Sequence, residues 1–289
     1  VGGMVLWPLL FIILRDVPRL DIAFDGNARQ SLGVDLPIAA INLPHRTDRW
    51  DAVHGRMKAV GLDRLIKIPA VYGAELPIET IDALVHPNHL AIDANPDTHF
   101  AVTRPAIGCF LSHLGIWRWM IETGLPRVLV FEDDANPAPG FDAARFRAAM
   151  ADLAKRDEMV FLGRLIMNGM AEDAAKVAPA LPRMFYFNGT FAYLITPSAA
   201  RVLIRNLLPI RGHIDHQISR VLIERRDEMA ARYTEPHFFE PDWNLRSDCY
   251  VPLDGETEAD REMGAHLDRT RRLLESEHRP LLPAFVPAG

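Results

Sequence analysis

The clearest pattern along the chain is a series of short, unbroken apolar runs separated by stretches whose apolar positions recur every three or four residues. Pro37 to Leu43 (PIAAINL) is the first such run, and a strand buried on both faces has this character. Pro44-His45-Arg46 forms a polar loop, and Thr47 follows as a good N-cap, with Asp48 and Asp51 in a first turn where the helix dipole favours acids. Trp50, Val53, Met57 and Val60 then mark one face of a helix, and Gly61 stands at its C-terminal cap. Leu65 to Val71 predicts a second strand, so the opening is a βαβ unit that implies a parallel sheet with a right-handed crossover.

From Tyr72 to Arg104 the pattern breaks up around Pro77, Pro87, Pro96 and Pro105, which predicts loops, one short helix near Glu79 to Val85, and a lid over a functional site. A clear helix follows. Ile107, Leu111, Leu114, Trp117 and Ile121 form its apolar stripe, while Gly108, Ser112 and Gly115 make a small-residue face against which another segment packs closely. Leu125-Pro126 ends it, and Val128 to Phe131 is another buried-strand run leading directly into Glu132, Asp133 and Asp134. Met159 to Gly163 predicts a strand, and Met184 to Thr196 a β region with a hairpin turn at Asn188-Gly189. Thr196 and Pro197 open a helix that buries Val202, Leu203 and Leu207, and Ile214 to Arg225 forms another around Ile218, Val221 and Leu222. Glu256 to His278 reads as a solvated, charged helix. The expected organisation is an α/β domain over residues 36–250, preceded by an apolar extension and connector (1–35) and followed by a charged helix and tail (251–289).

Composition narrows the class. In 289 residues, 38 acids against 32 bases leave a formal charge of -6, which argues against a dedicated nucleic-acid or anionic-membrane binder. Cys109 and Cys249 are the only cysteines, which excludes a disulfide framework, a four-cysteine zinc site and zinc held by thiolates, and favours a reducing, cytoplasmic compartment. Met4 to Leu14 (MVLWPLLFIIL) is apolar but short of the roughly 20 residues a membrane span requires, and it lacks the basic lead and small-residue site of a signal peptide. It is a peripheral foot at the inner face of the membrane, an extension packed on the body, or a product of start-site choice.

The candidate chemistry sits at strand ends, where open α/β sheets bind ligands. Glu132, Asp133 and Asp134 are adjacent carboxylates that repel one another unless a divalent cation such as Mg²⁺ or Mn²⁺, or a ribose hydroxyl, lies between them; the plainer alternative is a solvated turn capping the next helix. After the first strand, Asn42, His45, Arg46 and Arg49 supply donors, with Asp48 able to hold an arginine. This set suits a nucleotide diphosphate, or is a surface ion-pair cluster. Ser112 and His113 are either satisfied core residues or lie near substrate. Asp215, between His213 and His216, is a helix-start acid or a general base; with His237 these residues also offer a transition-metal set, at a spacing that matches no tight motif.

Taken in order, Asn42 to Arg49 (NLPHRTDR), Ile107 to Trp117 (IGCFLSHLGIW), Val130 to Ala135 (VFEDDA), Thr190 to Ala200 (TFAYLITPSAA) and Ser247-Asp248 resemble the successive motifs of glycosyltransferase family 25. That family includes bacterial lipopolysaccharide and lipooligosaccharide glycosyltransferases and the galactosyltransferase domains that modify collagen. The resemblance covers roughly Ile38 to Asp248. It implies a GT-A type nucleotide-diphospho-sugar fold with a mostly parallel central sheet flanked by helices. It also implies inverting transfer of a hexose, commonly galactose from UDP-galactose, to a hydroxyl of a glycan or glycolipid acceptor. By position it implies Asp134 as ligand of Mn²⁺ or Mg²⁺, with Glu132 or Asp133 facing ribose or metal. Asn42, Arg46, Arg49, Ser112 and His113 would then serve the nucleotide sugar, Asp215 the proton transfer, and Ser247 and Asp248 the acceptor. Asp248, Asp242 and Glu240 compete with Asp215 for the role of base. The segment Glu235 to Asn244 (EPHFFEPDWN) and the apolar N-terminus stand outside the family pattern. The remaining alternatives are a metal-dependent nucleotidyltransferase and a non-catalytic subunit with a degenerate transferase fold; the intact acidic triplet argues against the latter.

Overall fold

A computed structural model describes residue 20 and residues 32–85, 102–153, 158–163 and 187–245. In chain order the elements are β1 (Ile38–Asn42), α1 (Thr47–Ala59), β2 (Leu65–Pro69), a 3-10 turn (Gly73–Glu75), α2 (Ile78–Leu84), α3 (Arg104–Thr123), β3 (Val128–Glu132), β4 (Ala135–Pro137), α4 (Ala143–Leu153), β5 (Met159–Phe161), β6 (Ala192–Ile195), α5 (Pro197–Leu207), α6 (Ile214–Glu224), β7 (Ala231–Tyr233) and β8 (Phe239–Pro241). The apolar segment Met4 to Leu14, the pair Ser247-Asp248 and the charged segment Glu256 to His278 lie outside the described residues. No described helix is long and apolar enough to cross a membrane.

Six strands form one sheet in the order β2-β1-β3-β6-β5-β7, and β4 and β8 make a separate two-stranded ribbon. The predicted βαβ opening is present: β1 lies between β2 and β3 and runs parallel to both, with Ile38 opposite Leu65 and Leu129. The sheet is mixed: β6 enters antiparallel between β3 and β5, while the other five strands share one direction, so the mostly parallel sheet expected from the sequence carries one reversed strand. The apolar run of β6 carries no mark of its direction. Both of its faces are covered, and a doubly buried strand reads the same whichever way it points.

That double burial explains the unbroken apolar runs. Alternate strand residues point to opposite faces. Ala39, Ile41, Val128, Val130, Tyr193 and Ile195 pack with α3, α5 and α6, while Ile38, Ala40, Leu129, Phe131, Ala192 and Leu194 pack with Val53 and Met57 of α1, Phe146 and Met150 of α4, and Phe238 and Phe239. The result is an α/β protein with helices on both faces of the sheet.

Local signals were decoded unevenly. Gly61, at φ +85°, donates to Lys58 O while Leu62 donates to Met57 O, the paired bonds of a Schellman ending. Thr47, however, lies inside α1; the cap position belongs to Arg46, which makes no side-chain capping bond. α3 starts three residues before its apolar stripe because Thr103 Oγ1 accepts the Ala106 N–H at 3.2 Å and Pro105 fits the first turn, where no N–H is needed. Thr196 stands at the cap of α5, with Pro197 inside as expected, but its hydroxyl pairs with Ser198 Oγ. Among the described residues β6 finds its strand partners in β3 and β5; Met184 to Tyr186, the first arm of the expected hairpin at Asn188-Gly189, lie outside the described residues. Of the irregular excursion after β2, residues 86–101 lie outside them too.

Candidate functional site

The carboxyl ends of β1 and β3 lie side by side, with Ile41 opposite Glu132. The polar loop after β1 and the acidic triplet after β3 are therefore one site. Asn42 Nδ2 donates to Arg46 O at 3.0 Å, closing the loop on itself, and to Asp133 Oδ2 at 2.8 Å. Arg49, one turn into α1, donates from Nε to Asp133 Oδ1 at 2.8 Å, and its Nη2 lies 2.5 Å from the same oxygen. Asn42, Arg49 and Asp133 are all buried, so they form an internal clamp between two strand ends. Arg46 stays near solvent, held by Asp48 through two 3.0 Å bonds, an arrangement that fixes its direction more than it stabilises the fold.

Asp134 differs from its neighbours. Its Oδ1 is buried and has no hydrogen-bond partner. Burial, then the charge of Glu132 beside it, pushes its carboxyl up to about 7. A carboxylate oxygen held out of water without a donor is a poor design for stability and a fitting one for a divalent cation that takes oxygen ligands, so the residues present suit Mg²⁺ or Mn²⁺.

Glu132 turns toward α3 and β6. His113 Nε2 lies 3.1 Å from Glu132 Oε1, and Thr190 Oγ1 donates to the same oxygen at 2.5 Å. On the far side of the ring, His113 Nδ1 is 2.8 Å from the Tyr193 hydroxyl, which also accepts the Trp117 indole N–H at 3.0 Å. Trp117 can only donate, so the Tyr193 oxygen accepts from the indole and pairs with His113 Nδ1, leaving Nε2 to face the carboxylate. Burial alone would push Glu132 up, but the bonds from His113 and Thr190 outweigh it and hold the carboxyl below its ordinary range. His113, whose place on an apolar helix left both readings open, is thus both a core residue and a partner of the acidic turn.

Ser112 faces the other way. Its hydroxyl accepts the Val71 N–H at 2.9 Å and donates to Gly108 O at 2.7 Å, and the segment against the small face of α3 is the backbone after β2. Asp215 lies in the first turn of α6, where Oδ2 accepts the Gly189 N–H at 2.9 Å and Oδ1 the His216 N–H at 2.8 Å. His216 Nε2 meets Asn188 Oδ1 at 3.0 Å. The start of α6 thereby secures residues 188–190, and Thr190 carries that constraint to Glu132. Ser247 and Asp248 lie outside the described residues.

Three contributors were not read from the sequence. Arg56, on the polar side of α1, donates to Asp133 O at 2.9 Å, Ala135 O at 3.1 Å and Asp242 Oδ2 at 3.2 Å. Asp242 in turn donates its N–H to Asp134 O at 2.7 Å, so the β4–β8 ribbon braces the acidic turn from below. Thr190 was legible only as part of a motif, and Tyr193 only as a strand residue.

A family model described as "Glycosyltransferase family 25 (LPS biosynthesis protein)" matches residues 36–218. Among curated proteins, the chain is 34% identical over 219 residues to the human "Inactive glycosyltransferase 25 family member 3", covering 70% of this chain and 35% of that protein. It is 31% identical over 169 residues to a "Glycosyltransferase 25 family member" of Drosophila melanogaster (58% of this chain, 27% of that one). A protein of the same description from Anopheles gambiae is 31% identical over 185 residues (61% and 31%). The matched region thus spans about a third or less of the length of these relatives.

Proposed function

The chain belongs to glycosyltransferase family 25, and from that premise we propose that it is an active enzyme moving a hexose from a nucleotide-diphosphate sugar to a hydroxyl of a glycan or glycolipid acceptor. The observation that carries the proposal is the buried, unpartnered Asp134 Oδ1 at the carboxyl end of β3, beside the donor loop after β1. We take the sheet to be of GT-A type, the donor to be UDP-galactose, the acceptor to be a surface glycan such as lipopolysaccharide, and transfer to invert the anomeric carbon. A cytoplasmic setting, with peripheral contact at the inner face of the membrane, belongs to the same proposal.

In this reading Asp134 holds Mn²⁺ or Mg²⁺. The cation, when bound, offsets negative charge developing on the departing diphosphate. Arg46, kept outward by Asp48, reaches donor phosphate, while the Asn42–Arg49–Asp133 clamp holds the two strand ends at a fixed separation. Glu132, with one oxygen occupied by His113 and Thr190, has its other free to turn toward a ribose hydroxyl. Asp215 takes the acceptor proton, and its bonds to two backbone N–H groups hold it oriented for that role.

A second reading has support in the name of the human relative, which is called inactive: a transferase fold retained for binding. Purified protein with manganese and a panel of nucleotide sugars separates the two. Slow hydrolysis of one donor, abolished in Asp134→Ala and by chelator, supports the enzyme; folded protein inert toward every donor supports the binding subunit.

A further inference from the structure

Cys109 and His113 are four residues apart on α3, so their side chains emerge from the same face one turn apart. Glu132, at the end of β3, comes up against that face. One ligand atom from each of the three, a thiol sulfur, an imidazole nitrogen and a carboxylate oxygen, lies within 4.8 Å of both others. His113 is fully buried, while Cys109 and Glu132 are each partly open to solvent, which provides a route in.

We propose that Cys109, His113 and Glu132 form a site for a borderline-soft divalent ion of the Zn²⁺ or Co²⁺ class, separate from the oxygen-donor position at Asp134. Sulfur, nitrogen and oxygen together suit zinc and are a poor match for Mg²⁺ or Mn²⁺. With Zn–ligand bonds of about 2.0–2.3 Å, tetrahedral ligands sit roughly 3.3–3.8 Å apart. His113 Nε2 and Glu132 Oε1, at 3.1 Å, need only part slightly, and the sulfur needs to close by at most about 1.5 Å from the 4.8 Å limit. Three protein ligands leave a fourth position for water, as in open zinc sites.

The surroundings are arranged as such a site requires. A metal-bound histidine donates its other ring N–H to a fixed acceptor. Here Nδ1 faces the Tyr193 oxygen at 2.8 Å, and the Trp117 indole holds that oxygen in place. With the metal on Nε2 the imidazole proton sits on Nδ1 and is donated to the Tyr193 oxygen, and the Cys109 thiol releases its proton to solvent. One thiolate and one carboxylate then neutralise the dication, so no net charge is left in a partly buried place. The exclusion of thiolate-bound zinc drawn from the cysteine count holds for a four-cysteine site but not for this mixed set, which only the meeting of α3 and β3 reveals. His213, Asp215, His216 and His237, the set considered from sequence, are not among the described groups whose ligand atoms converge in this way.

Cobalt tests the site without reference to catalysis. The full chain, stripped with chelator and kept reduced, is titrated with Co²⁺. The expected result is one equivalent bound with a near-ultraviolet thiolate-to-cobalt band and the visible bands of tetrahedral Co²⁺, both bleached by Zn²⁺. The thiolate band should vanish in Cys109→Ser and persist in Cys249→Ser and Asp134→Asn. Cys109→Ser is close to isosteric, so it keeps the test decisive even where His113→Gln fails to fold. Absence of a thiolate band, or a band that survives Cys109→Ser, overturns the proposal. Donor turnover is read separately, so failure of the transferase reading leaves this result intact.

Discussion

Gly108 tests whether the close contact behind the site is real, because the same substitution in two helices should act in opposite directions. In Gly108→Ala the new methyl carbon would lie 2.5 Å from Val71 O, 2.7 Å from Gly73 N and 3.0 Å from Gly73 Cα. The shortest of these is about 0.9 Å inside ordinary contact, and every obstacle is backbone, which has no flexible end to swing away. Overpacking of this kind costs about 1–3 kcal/mol, against a helix-propensity gain of about 0.8–1 kcal/mol for Gly→Ala. Gly55, in α1, has open space where its methyl would go, so Gly55→Ala should keep the whole gain. The difference between the two variants is then the overpacking cost itself, about 1–3 kcal/mol, or several degrees in Tm for a domain of this size. Urea denaturation of both variants beside the parent measures it. Because α3 also carries His113, pushing it off the Val71–Gly73 backbone should lengthen the 3.1 Å contact with Glu132 and lower turnover in Gly108→Ala alone. If Gly108→Ala proves as stable as Gly55→Ala, the close packing of α3 on that segment is wrong.

Three further outcomes follow from the site. Arg49→Ala leaves buried Asp133 with its Asn42 bond but without its counter-charge, and should cost about 3–5 kcal/mol by chemical denaturation; a loss below 1 kcal/mol would return Arg49 to the surface. In protein freed of divalent cations, Asp134 carries its proton up to about pH 7 when folded but only to about 3.8 when unfolded, so the folded state binds the extra proton between those values. Stability should therefore fall as pH rises from about 4 through 7, and Asp134→Asn should flatten that slope; identical pH profiles for the two proteins would contradict the burial of this carboxyl. Asp215→Asn should cut turnover by at least roughly a hundredfold, with donor affinity nearly unchanged. Loss of stability with turnover intact would show instead that Asp215 serves only to hold the Gly189 N–H.

Periodicity and local chemistry, which the chain carries within a few residues, determined much of the fold. Strands covered on both faces had to be unbroken apolar runs, so β1 and β3 could be read directly. A glycine at +85° had to follow α1 once its stripe ran out, and the Gly108–Ser112 face announced a close neighbour without saying which. The acidic triplet was placed correctly at a strand end for the same reason. What tertiary structure decided is how those three carboxylates differ. Asp133 is clamped by Arg49 from 84 residues away, Glu132 is turned toward His113 and Thr190, and Asp134 is left with an unpartnered oxygen. Arg56 reaches Asp242 across 186 positions, and β6 reverses direction in the middle of the sheet. Each of these depends on which distant segments become neighbours, and on the competition of buried groups for a limited number of partners. No window of adjacent residues contains that information, because identical acids acquire different chemistry only after the sheet has brought their partners to them.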